Sequence, residues 1–93
     1  KWEEDLVWKV KYSDNALKAL KKIDKTHAKR IVDTLELQIA QLDDPRVRGK
    51  ALQGNFKNLW RYRVGDYRII CDMQDNQLTI LALFIGHRKK VYR

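Results

Sequence analysis

The chain has one cysteine, one proline and one methionine in 93 residues, only four glycines, and no long apolar run. Each shortage closes off a class of explanation. A lone thiol, Cys71, has no internal partner, so neither a disulfide framework nor an oxidising compartment is implied. Alternation puts it on the core face of a strand as a small hydrophobe. The longest apolar stretch, Leu78 to Ile85, is broken by Thr79 and is far shorter than the roughly 20 residues that cross a bilayer. The opening Lys1-Trp2-Glu3-Glu4-Asp5 is polar and acidic, unlike a secretory leader, and a cytoplasmic location is expected. A single domain is expected over 1–93, in which, with no initiator Met, residues 1–5 are expected to be a disordered or non-native N-terminal extension. No Cys/His cluster has zinc-ligand spacing, His27 stands without a second ligand-type residue, and no glycine loop is suited to cradling phosphate. Asp66 and Asp72 do not supply the grouped carboxylates of a metal-dependent nuclease, and no metal or cofactor is expected.

What is present is lopsided. Residues 1–45 hold nine Lys/Arg and nine Asp/Glu, whereas residues 46–93 hold eleven and three, which is the whole net charge of +8. The excess is threaded between aromatics in Trp60-Arg61-Tyr62-Arg63-Val64-Gly65-Asp66-Tyr67-Arg68, and returns in Gly86-His87-Arg88-Lys89-Lys90-Val91-Tyr92-Arg93. Clustered guanidinium groups attract phosphate over long range and clamp it in bidentate geometry, so a nucleic-acid partner is implied.

Periodicity sets the architecture. Trp8, Val10 and Tyr12 alternate with Lys9 and Lys11, which predicts a half-buried strand. Ser13 is placed to cap a short helix carrying Ala16, Leu17, Leu20 and Ile23 at helical spacing. Asp24 or Thr26 caps a longer one, whose apolar stripe runs Ala28, Ile31, Val32, Leu35, Ile39, Leu42 and stops at Asp43-Asp44-Pro45. Arg46 to Asn58 reads as a loop. Strands are expected over 59–64, 67–73 and 77–85, joined by two-residue turns at Gly65-Asp66 and Asp75-Asn76. The order strand, helix, helix, strand, strand, strand is that of an α+β domain, with two helices over one face of a mostly antiparallel sheet.

On the predicted strand 59–64, Trp60, Tyr62 and Val64 share one face, and Arg61 and Arg63 the other. A Gly65-Asp66 turn sets Arg63 directly opposite Arg68, a like-charge pairing that costs a few tenths of a kcal/mol up to about 1 and that a purely structural sequence avoids. An Asp75-Asn76 turn pairs Arg68 with Leu83 and brings Gly86-His87-Arg88 beside the arginines. Ile70, Leu81, Leu83 and Ile85 then share this outer face as an apolar area suited to a bound partner segment.

The element order, Lys50-Ala51-Leu52-Gln53-Gly54, Tyr62-Arg63-Val64-Gly65-Asp66-Tyr67-Arg68 and Gly86-His87-Arg88-Lys89-Lys90-Val91-Tyr92 together resemble the RelE/ParE superfamily of bacterial type II toxins, from about Val7 to Arg93. The resemblance to its RelE branch implies a toxin neutralised by a cognate antitoxin protein. Such a toxin enters the ribosomal 30S A site and cleaves mRNA without a metal, by attack of the ribose 2′-OH on the adjacent phosphate. It implies that Arg68 holds the phosphate, Arg88 assists the leaving 5′-oxygen, and Tyr92 orients the base. Arg61 and Arg63 stand where the best-known member has two lysines. Permanently protonated, they can stabilise a phosphorane but are poor bases, so His87 or Tyr92 is expected to handle protons. Lys50, Lys57, Lys89, Lys90 and Arg93 are expected to contact RNA or the ribosome, and operator DNA only through the antitoxin complex. No membrane is expected among the partners. The alternative within the superfamily is a ParE-like inhibitor of DNA gyrase without nuclease activity. A nucleic-acid-binding module without catalysis also accounts for the charge and aromatics.

Overall fold

The structure, a computed structural model, describes residues 8–52, 54 and 58–87. The expectation for residues 1–5 lies outside them, as do Lys57 and the segment 88–93. Strand β1 (Lys9–Tyr12) leads into helices α1 (Asp14–Lys22) and α2 (Lys25–Asp33), the latter prolonged by a π-helical stretch (Thr34–Ile39). A 3₁₀ turn (Pro45–Arg48) and a two-residue strand β2 (Lys50–Ala51) precede β3 (Leu59–Val64), β4 (Tyr67–Gln74) and β5 (Thr79–His87). The five strands form one sheet in the order β1-β5-β4-β3-β2, antiparallel except where β1 lies parallel to β5. The expected α+β class and mostly antiparallel sheet are observed. No helix among the described residues is long and apolar enough to cross a membrane.

The helices cover one face of the sheet. Ala16 from α1, and Ile31, Leu35, Ile39 and Ala40 from α2 and its extension, pack against Tyr62, Val64, Ile69, Cys71, Met73, Ile80, Ala82 and Ile85. The predicted stripe ran as far as Leu42 in one α-helix. Instead the last turns widen, with the Ala40 N–H donating to the Leu35 carbonyl at 2.9 Å. Asp24 takes the N-cap of α2, but its carboxylate meets the His27 ring rather than a backbone N–H.

Ser13 joins three elements. Its Oγ accepts from the Ala16 N–H (3.1 Å), capping α1, and donates to the Leu83 carbonyl (2.9 Å) of β5. Leu83 needs that partner because pairing with β4 skips over it: Cys71 faces Ala82 and Ile70 faces Phe84, leaving Leu83 as a bulge.

This bulge corrects the sequence-based register. The turn after β4 is also longer than two residues, since Asp75–Gln77 forms a 3₁₀ turn closed by Leu78 at φ +48°. Turn and bulge displace the pairing by two residues and one, so Arg68 faces Gly86 rather than Leu83. The inside-out order of β5 changes with it. Ile85, expected on the outer face, is buried in the core, and Phe84 takes the outer position, 40% exposed.

The region read as a loop, 46–58, also holds structure. Asp44 caps the 3₁₀ turn by accepting from the Arg46 N–H at 3.1 Å. The Tyr62 hydroxyl donates to the Pro45 carbonyl at 3.0 Å. Tyr62 lies so tightly against Gly49 that a Cβ there would stand 2.8 Å from its ring. The chain then forms β2 on the edge of β3. Two residues are too few for alternation to be visible in sequence; the strand exists because β3 supplies its partner.

Candidate nucleic-acid interface

The outer sheet face is organised in rows, because residues directly paired across strands project to the same side. One row runs Phe84, Ile70, Arg61, Lys50, and the next runs Gly86, Arg68, Arg63. A third, Lys11, Leu81, Asp72, Leu59, lies on the other side of the first. The cations therefore gather at the β2–β3 corner, and the apolar residues Leu81, Ile70 and Phe84 occupy the middle.

Gly65 makes the hairpin that aligns the second row. It alone of the turn pair takes positive φ (+60°), the conformation required at the first position of a type II′ turn. The expected pairing of Val64 with Tyr67 and of Arg63 with Arg68 is what the sheet contains. A small notch lined by Arg63, Gly65, Asp66, Tyr67 and Arg68 sits at this end. From the helix side, Arg30 Nη1 reaches within 3.6 Å of where a Gly65 Cβ would be.

Beside the hairpin, Arg48, Lys50, Arg61 and Arg63 line a pocket of about 220 Å³. Arg48 was not among the residues singled out by sequence. The signal for it was faint: Arg48 and Lys50 flank Gly49, and an extended backbone sends positions two apart to the same side. Arg46, by contrast, serves the fold. Its guanidinium binds Asp44 (3.3 Å) and Asp75 (2.5 Å) and lies about 6 Å from the ring centres of both Trp8 and Trp60. The carboxylates raise its pKa further, so it holds its charge throughout.

The position expected for the His87 side chain, beside the arginines, is corrected here, because it lies on the opposite face of the sheet. His87 pairs with Tyr67 on the helix-facing side, and the two rings meet edge to face at 5.4 Å between centroids. The His27 ring lies 5.6 Å from that of Tyr67 between centroids, in a tilted arrangement. Tyr67 and His87 border a groove of about 530 Å³ against Ala19, Lys22 and Ile23. The register shift is the cause: β5 runs past Arg68 with Gly86 on the outer side, which turns His87 inward. Arg88, Tyr92, Lys57, Lys89, Lys90 and Arg93 lie outside the described residues.

Other titratable groups serve the core. Burial pushes the Cys71 thiol up to about 12, which removes it as a nucleophile at neutral pH. The Tyr12 hydroxyl donates to Glu36 at 2.8 Å, and burial followed by that carboxylate holds its pKa far above the usual phenol range.

Two helices over one face of a mixed five-stranded sheet is the architecture of RelE-like toxins. The structure is similar to the toxin–antitoxin complex RelBE2 from Mycobacterium tuberculosis (TM-score 0.80, 22% identity, covering 89% of this chain and 93% of that chain). It is also similar to the archaeal RelE–RelB complex from Pyrococcus horikoshii OT3 (TM-score 0.72, 26% identity, 91% and 99%). The isolated Escherichia coli RelE toxin matches at TM-score 0.72 and 18% identity, over 91% and 88% of the two chains. No curated protein sequence matches. Over residues 10–92 the sequence fits the family described as the ParE toxin of the type II toxin–antitoxin system parDE, and the chain belongs to that family, within the RelE/ParE superfamily.

Proposed function

We propose that this toxin is a ribosome-dependent endoribonuclease that cleaves mRNA in the 30S A site and so inhibits translation under stress. The observation that carries this reading is the convergence of Lys50, Arg61, Arg63 and Arg68 on adjacent strands of one sheet face. In the proposed step the ribose 2′-oxygen bonds to phosphorus and the P–O5′ bond breaks, leaving a 2′,3′-cyclic phosphate and a 5′-hydroxyl. Arg68 holds the phosphate, while Arg61 and Arg63 stabilise the doubly charged phosphorane at no reorganisation cost. Arg88 supports the leaving oxygen, and Tyr92 orients the base. With the His87 side chain on the helix face, the proton step falls to Tyr92. Lys57, Lys89, Lys90 and Arg93 add to the RNA and ribosome contacts. The neutralising partner is a cognate antitoxin, as in the relatives solved as complexes, and operator DNA is engaged only through that complex.

Primer extension on mRNA bound to programmed ribosomes tests this. A-site cleavage that disappears in Arg61→Ala/Arg68→Ala supports it, and undiminished cleavage by that double variant removes it. The family description supports a second reading, a ParE-like gyrase inhibitor. In that case the protein blocks supercoiling by purified gyrase, induces DNA-damage signalling, and leaves mRNA intact.

A further inference from the structure

The pocket of Arg48, Lys50, Arg61 and Arg63 is built from three separate elements: the 3₁₀ turn, β2 and β3. Cross-strand pairing by itself does not favour it. Lys50 directly opposes Arg61 and Arg63 opposes Arg68, two like-charge pairs of the kind that destabilise a sheet. Its position is nevertheless rigidly determined, because Gly49, between Arg48 and Lys50, is packed against the buried Tyr62 ring.

Its chemistry selects one kind of ligand. None of its described lining residues is aromatic, so it offers no platform for a nucleobase, and none is acidic. A volume of about 220 Å³ accommodates several waters at about 30 Å³ each, room for a hydrated phosphate group. Spacing identifies which phosphate. The Lys50–Arg61 row and the Arg63–Arg68 row are two residues apart along the strands, about 6.6 Å. That is comparable to the separation of neighbouring phosphates on an extended single strand.

We propose that Arg48 and Lys50, at the far end of this pocket, form a second phosphate subsite, which holds the RNA backbone phosphate adjacent to the one gripped by Arg68, with Arg61 and Arg63 lying between the two. The inference rests on the nuclease reading for its substrate. Arg48 and Lys50 are then positioning residues that set the register of the strand, away from the reacting atoms.

The test is binding of the isolated toxin to single-stranded RNA that is 2′-O-methylated and so cannot be cleaved, followed by anisotropy across a salt series. Each phosphate contact on a single strand contributes about 0.7 to the slope of log K against log salt. Arg48→Ala/Lys50→Ala, which empties a site for one phosphate, should therefore lower the slope by about 0.7 and raise Kd about fivefold at 0.1 M salt. Arg48→Lys should retain the slope, and Lys11→Ala, a cation on the far strand of the same face, should leave it unchanged. An unchanged slope in the double variant overturns the subsite, as does an absence of wild-type binding. Inorganic phosphate is the second arm: if it binds the pocket as tightly as the RNA does, the site is one for free phosphate and the proposal falls. Cleavage on programmed ribosomes is read separately. A toxin that shows the slope change but cuts no mRNA leaves the subsite standing and removes the nuclease reading.

Discussion

Arg63 and Arg68 stand directly opposite each other across the β3–β4 hairpin, on the face of the sheet that the helices leave uncovered. A hairpin this tight holds two permanent positive charges on paired positions, a juxtaposition that by itself disfavours the strand pairing.

Replacing Arg63, whose side chain is exposed, with threonine should therefore stabilise the free protein by a few tenths of a kcal/mol up to about 1. In a domain of this size that is a rise in Tm of up to about 4–8 °C. Under the proposed nuclease function, the same variant should cut ribosome-bound mRNA far less than the unaltered chain. Differential scanning calorimetry and primer extension together check the trade.

His87→Ala should leave cleavage within the same order of magnitude, because its ring packs on Tyr67 on the helix side. A residue that transferred the proton would cost roughly 100-fold or more. Single-turnover cleavage rates on ribosomes decide between the two.

Gly49→Ala should destabilise the domain by about 1–3 kcal/mol, since the added methyl meets the buried Tyr62 ring at 2.8 Å. Urea denaturation measures this. Because Gly49 sits between Arg48 and Lys50, the variant should also weaken RNA binding.

Ser13→Ala removes both the cap of α1 and the hydroxyl that satisfies the Leu83 carbonyl at the bulge. The expected cost is about 1–2 kcal/mol. Hydrogen exchange should show faster opening around Ala16 and in the β4–β5 pairing near Phe84.

Alkaline pH should weaken the fold. The buried Cys71 thiol has its pKa raised from 9.0 to about 12, so the unfolded chain loses this proton first. Stability from this group is complete below pH 9 and is lost as pH rises towards 12. Tyr12 and Tyr62, also raised by burial, act in the same direction at the upper end. Denaturation midpoints at pH 8 and pH 11 test the sign. In the native state at pH 8, Cys71 should resist alkylation until the protein unfolds.

Much of the fold was legible because its signals are local. Ser13 as a cap, the Gly65 turn and the alternation through Trp60, Tyr62 and Val64 each depend on a few neighbouring residues, and each is observed. The basic site was legible in part: Arg61, Arg63 and Arg68 share the face that alternation assigns them. Arg48 and the inward turn of His87 were not. The first depends on β2, whose two residues carry no periodicity, and the second on a bulge at Leu83 that only its partners define.

The sequence by itself determined the order of the two main helices and four main strands, the sign and location of the charge, and the opposition of Arg63 to Arg68. These follow from stereochemistry within a hairpin or a helix turn. Only the tertiary structure decided the register of β5 against β4, and with it that Ile85 enters the core, Phe84 faces out and His87 leaves the arginine face. Local pattern cannot set that register. A single extra residue costs nothing in alternation until Ser13, from the far end of the chain, gives the unpaired Leu83 carbonyl its hydrogen bond.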